Sequence, residues 1–256
     1  MSIDILILAI LQGVAEFLPI SSSGHIVVGQ ELLGVEKERL TVNVVLHFGT
    51  LLAILAFYRK RIWRLLTEDR RVIGLIVVGT IPATAAYFIL KQQFESALEN
   101  PLVAGFMFPL TGVMLLWAAR RDSGELTCKE LGYGGAALIG VFQAFAILPG
   151  ISRSGSTIVA GLGSGLRRDE AAAFSFLLAI PAIGGGAVIK LAKLFSDGYG
   201  GSDNNITDLA LGATVSCAVG LISLWWLVRW LQQGRLYLFA FWVIPLGVAV
   251  IAWQLL

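Results

Sequence analysis

The chain has 256 residues, of which 57% are hydrophobic and 14% charged, well below the roughly 25% charge of soluble domains. A net charge of +2 says little about partners, and no nucleotide-binding glycine loop, zinc spacing or nucleic-acid signature appears. The two cysteines, Cys128 and Cys217, make neither a disulfide framework nor a metal site. Such a composition suits a chain whose outer surface faces lipid.

In chain order, the first apolar stretch is Ile3–Leu18, with no basic leader or small-residue cleavage site, so it is read as retained structure. Pro-Ile-Ser-Ser-Ser-Gly-His (19–25) interrupts it, and His25–Leu33 resumes. Three stretches long enough to cross about 30 Å of hydrocarbon follow: Thr41–Tyr58, Val72–Lys91 and Leu102–Ala119. Leu131–Leu148 is interrupted by Pro-Gly-Ile-Ser-Arg-Ser-Gly-Ser-Thr (149–157) before Ile158–Leu166. Three more spans, Ala171–Leu194, Leu209–Val228 and Leu236–Leu255, complete the chain. The arm after each interruption has about nine residues, which at 1.5 Å per residue covers half a membrane. Each interrupted stretch therefore predicts a helix–loop–helix hairpin that enters and leaves by one face. The fold class expected is an all-α polytopic membrane protein of about six spans plus two re-entrant hairpins, in one membrane domain.

Charge placement orients it. Alternating the spans puts Arg59, Lys60, Arg61, Arg64, Arg70, Arg71, Arg120, Arg121, Lys129, Arg167, Arg168, Arg229 and Arg235 on one side, and Lys37, Arg39, Lys91, Lys190 and Lys193 on the other. The positive-inside rule makes the first side cytoplasmic. The first hairpin then opens outward and the second enters from the cytoplasm. The run 59–71 reads as an orientation signal, and the tryptophans (63, 117, 225, 226, 230, 242, 253) mostly as interfacial anchors.

The halves resemble each other. Ile20-Ser-Ser-Ser-Gly24 matches Ile151-Ser-Arg-Ser-Gly155 at four of five positions with an offset of 131, and Gln12 and Gln143 share that offset. Phe48–Ile54 matches Phe174–Ile180 at five of seven positions, offset 126. Halves 1–119 and 131–256 each hold one hairpin and three spans. That odd number of crossings forces opposite orientations, an inverted repeat.

Non-helical backbone at membrane depth must be buried in protein or line a wet cavity, and polar residues there are costly and tend to be functional. Gln12 and Glu16 lie on one helical face. The first loop adds Ser21, Ser22, Ser23 and His25; the second adds Ser152, Arg153, Ser154, Ser156 and Thr157. Together they suit a phosphate ester. Arg153 offers a planar fork of donors, helix N-termini near Ser23 and Gly155 favour anions, and Gly24 and Gly155 permit close backbone approach. Ser22 is a candidate nucleophile with His25 or Glu16 as base or acid, and a carboxylate near His25 would fix its tautomer. His47 reads as a packing or hydrogen-bonding residue. An inverted repeat with broken helices also describes lipid-phosphate flippases and other transporters, but these need no Ser–His–Glu set.

Gln12-Gly-Val-Ala-Glu16-Phe-Leu-Pro-Ile-Ser-Ser-Ser-Gly-His25 and Pro149-Gly-Ile-Ser-Arg-Ser-Gly-Ser-Thr157 resemble the two signatures of the bacterial undecaprenyl-diphosphate phosphatases of the bacitracin-resistance type, as does Phe174–Pro181. The resemblance covers essentially the whole chain. It implies hydrolysis of undecaprenyl diphosphate to the monophosphate carrier of cell-wall synthesis, at a site open to the outer side of the bacterial cytoplasmic (inner) membrane. By position it makes Glu16 the second acidic residue of the signature, Ser22 the proposed nucleophilic serine, His25 the signature histidine and Arg153 the diphosphate clamp; either Ser22 or His25 attacks the terminal phosphorus, with Glu16 and His25 managing protons. Gln12, Ser21, Ser23, Gly24, Ser152, Ser154, Gly155 and Thr157 then line the substrate. Gln12 stands where many members carry Glu. A divalent cation, Mg²⁺ or Ca²⁺, is implied, with one carboxylate to meet it. The partners implied are the polyprenyl diphosphate and membrane lipids, with no nucleic acid and a homodimer left open.

Overall fold

The computed structural model describes residues 3–33, 40–93, 100–196 and 206–256. Lys37 and Arg39 lie outside these residues, and the side chains of Lys91, Lys190 and Lys193 are likewise outside the description. The described chain is helical: α1 (Ile3–Ala15), α2 (Ser22–Leu33), α3 (Leu40–Phe57), α4 (Arg59–Thr67), α5 (Arg70–Gln93), α6 (Pro101–Ala119), α7 (Tyr133–Phe145), α8 (Arg153–Gly163), α9 (Arg168–Ser196), α10 (Ile206–Gln232) and α11 (Ala240–Leu255). No strand occurs among the described residues beyond one isolated bridge, Leu126 to Leu166.

Five of these helices, including the 3₁₀ turn Arg235–Phe239 that leads into α11, are long and apolar enough to cross a membrane. Shorter apolar runs lie in α1, α3 (Val44–Phe57) and α7. Large apolar side chains such as Ile7, Val77, Ile81, Phe88, Val113 and Phe241 point outward along them. In water that would be an aggregation surface; in lipid it is the solvent-matched face. The protein is thus an all-α multi-pass membrane protein. Pro82, Pro109, Pro181 and Pro245 sit inside helices, a placement tolerated where neighbouring helices cover the freed carbonyls.

Element boundaries differ from expectation in three places. The arms after the interruptions begin at Ser22 and Arg153, one and two residues before the helix starts expected near Ser23 and Gly155 and ahead of the apolar runs that resume at His25 and Ile158, because Ser21 and Ser152 accept from the Gly24 and Gly155 N–H groups (3.3 and 3.1 Å) and start the helices. The basic run after α3 is not only a charge signal: Arg59–Thr67 folds as an amphipathic helix with Leu65 buried and Trp63 outward. The last span opens as the 3₁₀ turn Arg235–Phe239 after Gly234, whose φ of 72° suits glycine.

The packing is paired. α1 packs on α10 and α7 on α5; α3 packs on α10 and α9 on α5; α3 meets α9 and α6 meets α11. Small residues allow close approach: a methyl group at Gly49 would lie 2.4 Å from the Ala213 carbonyl oxygen, and one at Gly140 2.4 Å from that of Gly79.

Four connections join at one end. Buried Glu170 at the start of α9 pairs with Arg61 of α4 (2.7 Å) and accepts from the Cys128 N–H (2.7 Å) in the α6–α7 loop. Lys129 of that loop pairs with Asp69, and Arg71 donates to the Lys129 carbonyl. Arg168 donates to the Arg121 carbonyl (3.4 Å) and lies against Gly234 of the α10–α11 turn. Arg121 and Arg229 cover the Trp117 and Trp225 rings (4.6 and 5.4 Å). The basic residues counted on one side in the sequence therefore gather at one end of the helices.

Candidate active site

The two broken hairpins cross. Gly24, in the first turn of α2, meets the backbone of Gly150 in the second loop: an added Cβ would stand 2.7 Å from the Gly150 nitrogen and 2.8 Å from its Cα. Gly155, in the first turn of α8, meets Pro19 of the first loop, with 3.1 Å to Cβ. These contacts are exchanged under the offset of 131, which maps Gly24 to Gly155 and Pro19 to Gly150. Ser21 Oγ accepts from the Gly150 N–H (3.2 Å), and Ser154 Oγ donates to the Leu18 carbonyl (3.4 Å), so each loop holds the other. Thr111 of α6 clamps the second loop by donating to the Gly150 carbonyl (2.8 Å) and accepting from the Ser152 N–H (3.1 Å). Ser21 itself is held at a φ of 69°, a conformation disfavoured for a side-chain-bearing residue and characteristic of functional loops.

Glu16, just past the end of α1, is the focus. Its carboxylate is buried. Oε1 faces Arg153 Nη2 at 2.5 Å. Oε2 accepts from Gln12 Nε2 (3.0 Å), one helical turn earlier, and from Ser22 Oγ (3.2 Å) at the start of α2. His47 Nε2, from α3, stands 3.9 Å from the same oxygen. Since Ser22 and Arg153 open α2 and α8, both helix N-termini converge on this carboxylate. The first-turn N–H groups of a helix have no intrahelical partner, so the convergence makes an anion-receptive corner. Arg153 Nη1 is buried with no hydrogen-bond partner. A buried cationic donor left open is costly unless something accepts from it, and a phosphate oxygen is the acceptor its fork fits.

The sequence expectations divide here. Glu16, Ser22, Arg153 and Gln12 come together. His25 does not join them. Its Nδ1–H donates to the Ser21 carbonyl (2.8 Å), which can only accept, so Nε2 keeps its lone pair and accepts from Trp242 Nε1 (3.0 Å). Phe108 covers the ring edge-to-face at 5.1 Å. The expected carboxylate control of the His25 tautomer is thus corrected: a backbone carbonyl and an indole hold it. Trp242, read as an interfacial anchor, is that indole. Most of the hydroxyls are also committed to the scaffold. Ser21, Ser152 and Ser154 are buried in the cap and loop-crossing bonds. Thr157 Oγ1 donates to the Arg153 carbonyl (2.8 Å) and meets Ser175 Oγ of α9 at 2.6 Å. Of the rest, Ser22 is bonded to Glu16, exposed Ser23 meets Ser21 Oγ at 3.4 Å, and Ser156 Oγ is buried with no hydrogen-bond partner. His47, Thr111, Phe108, Trp242 and Ser175 are missed by sequence reasoning. His47, Thr111 and Ser175, polar residues inside apolar spans, carried a signal; Phe108 and Trp242 carried none.

The donor set does not fit a protein-held divalent cation. Among the described residues no three His, Cys, Asp or Glu side chains cluster, and the one carboxylate is engaged by Arg153 and two neutral donors. Hard cations want several oxygen ligands.

A polytopic α-helical membrane protein with two crossed broken hairpins, presenting a hydroxyl, a carboxylate and a guanidinium at one point, is the class that fold and site define. The family described as bacitracin resistance protein BacA matches residues 5–249, and the chain belongs to that family. It is 52% identical over 249 residues to an undecaprenyl-diphosphatase of Rhodopirellula baltica, covering 97% of this chain and 96% of the relative. An undecaprenyl-diphosphatase 4 of Bacillus thuringiensis is 38% identical over 98% of this chain and 97% of its own length. An undecaprenyl-diphosphatase of Pelotomaculum thermopropionicum is 38% identical over 96% of this chain and 94% of its own.

Proposed function

We propose that the protein hydrolyses undecaprenyl diphosphate to undecaprenyl phosphate and inorganic phosphate, recycling the lipid carrier of cell-wall synthesis and so conferring bacitracin resistance. The names of its relatives and its family support the reaction. The observation that carries the site is the convergence of Ser22 and Arg153 on Glu16.

Arg153 and the N-terminal N–H groups of α2 and α8 hold the diphosphate, with the open Nη1–H donating to a terminal phosphate oxygen. Ser22 Oγ attacks the terminal phosphorus and its proton passes to Glu16 Oε2. The bond from that phosphorus to the bridging oxygen breaks, and the bridging oxygen leaves with the electron pair on undecaprenyl phosphate. Glu16 then gives that proton up; water attacks the phosphoserine, and Glu16 takes the proton of the water and passes it to Ser22 Oγ as phosphate departs. Positioning and electrostatics dominate such transfers. His25, held by Ser21 and Trp242, orients the first loop. Mg²⁺ or Ca²⁺ would arrive on the diphosphate oxygens, and no step here passes through it.

The site opens outward and the basic end is cytoplasmic under the positive-inside rule. Halves 1–119 and 131–256 form an inverted repeat, a reading supported by the exchanged helix pairs and exchanged glycine contacts. A flippase would not need a hydroxyl bonded to the buried carboxylate, and the relatives' names give that alternative no support. The test is phosphate release from undecaprenyl diphosphate in detergent by single Glu16→Ala, Ser22→Ala, His25→Ala and Arg153→Ala variants. Loss of about 10²-fold or more is expected for Glu16, Ser22 and Arg153; full activity in Glu16→Ala or Arg153→Ala would overturn the assignment.

A further inference from the structure

Hydrolysis of a diphosphate to two phosphates releases a proton in each turnover, and the proton of Ser22 passes first to Glu16, whose side chain is 7% exposed. Something must carry it out. At Oε1 stands Arg153, which does not give up its proton. At Oε2 stand Gln12 and Ser22, and beside them His47 Nε2 at 3.9 Å. An amide cannot accept the proton and Ser22 is its source. His47 can, and its side chain is 30% exposed. It lies eight residues into an 18-residue helix, at a depth where an imidazole facing hydrocarbon is costly and one facing a wet cavity is not.

The position is also fixed. Ser216 Oγ of α10 donates to the Leu46 carbonyl (3.0 Å), and Gly49 lies against the Ala213 backbone, so α3 is pinned on both sides of His47. His25 cannot serve instead while its two nitrogens are engaged by Ser21 and Trp242.

We infer that His47 is the proton relay of this site, a positioning and proton-carrying residue that acts through Glu16 rather than on the substrate; the inference rests on the proposed phosphatase reading. After Ser22 gives its proton to Glu16, the proton moves from Oε2 across the 3.9 Å gap to His47 Nε2 by way of one water molecule, which frees the carboxylate to take a proton from the attacking water, and His47 then releases its proton to the aqueous side. Charge and protons balance, and one proton leaves per turnover. The titratable and charged groups around His47, among the described residues, are set by the neighbouring elements. From the first hairpin there is Glu16, with Arg153 of α8 behind it. Between Asp208 and Arg229, α10 carries only Cys217; between Glu170 and Lys190, α9 carries none; and the charges of α4 lie at the basic end.

The test is the pH profile of phosphate release by purified wild type, His47→Ala and His47→Gln in detergent, with and without added imidazole. Folding is checked by thermal unfolding. Both variants should lose about 10- to 100-fold in kcat with KM little changed. The limb of the profile that reports the imidazole should disappear, and free imidazole should restore His47→Ala several-fold. Full activity in both variants, or recovery by Gln with no imidazole rescue and an unmoved pH profile, would overturn the relay. Should Glu16→Ala and Ser22→Ala remain active as well, the phosphatase site itself fails; should those two be inactive while the His47 variants are not, only the relay fails.

Discussion

Gly24→Ala tests whether the crossing of the two loops sets the geometry of the site. The added methyl would lie 2.7 Å from the Gly150 nitrogen, 2.8 Å from the Gly150 Cα and 2.7 Å from Phe108 Cζ. Phe108 can rotate away; the backbone of Gly150 cannot, because Thr111 and Ser21 hold it by hydrogen bonds. Restoring ordinary contact at about 3.4 Å requires the loops to part by about 0.7 Å. That displacement is transmitted to Arg153, three residues beyond Gly150, and to Ser22, two residues before Gly24. Overpacking of this kind costs about 1–3 kcal/mol in stability, and misplacement by about 1 Å costs on the order of 10²-fold in rate. We therefore expect a fall of about 10- to 100-fold in kcat for phosphate release, with a lower unfolding temperature in detergent. Wild-type rate and stability in Gly24→Ala would refute the claim that the two loops meet there.

Thr111→Val should destabilise the second loop by about 1–3 kcal/mol, because it leaves the Gly150 carbonyl and the Ser152 N–H without partners; thermal unfolding measures it, and a reduced rate should accompany it. Trp242→Phe should lower activity modestly, by less than Glu16→Ala, since it removes the partner of His25 Nε2 but leaves the Ser21 bond; equal losses in the two variants would put His25 at the chemical step. Burial, with Glu170 beside it, pushes the Cys128 thiol well above its ordinary value, so maleimide at neutral pH should label Cys128 only after unfolding, and rapid labelling of the folded protein would contradict the packed basic end. Chelation by EDTA should slow hydrolysis without shifting the unfolding temperature, because no three His, Cys, Asp or Glu side chains cluster among the described residues; a large drop in unfolding temperature would show a protein-bound ion.

The hairpins and their crossing residues were legible because punctuation at membrane depth has few explanations: Pro, Ser and Gly runs inside apolar helices must be buried or wet. Glu16 and Arg153 were legible for the same reason, as charges where charges are costly. The division of labour among the hydroxyls was not. Ser21, Ser152, Ser154 and Thr157 look alike in sequence to Ser22, and only the cap bonds and the Ser175 contact separate scaffold from site. The surroundings of His25 and His47 were not legible either, because the residues beside them, Trp242 and Glu16, are distant in sequence and close in space. The amphipathic helix Arg59–Thr67 was hidden by its charge, which satisfied the orientation rule before its 3.6-residue pattern was considered.

The central claim is that the buried carboxylate of Glu16 accepts the proton of Ser22 during phosphoryl transfer. Glu16→Gln keeps the size of the side chain and its ability to accept from Ser22 and Gln12, while removing the base. Phosphate release from undecaprenyl diphosphate by this single variant, purified and folded in detergent, should fall by about 10²-fold or more at every pH. A rate equal to that of the wild type would contradict the account.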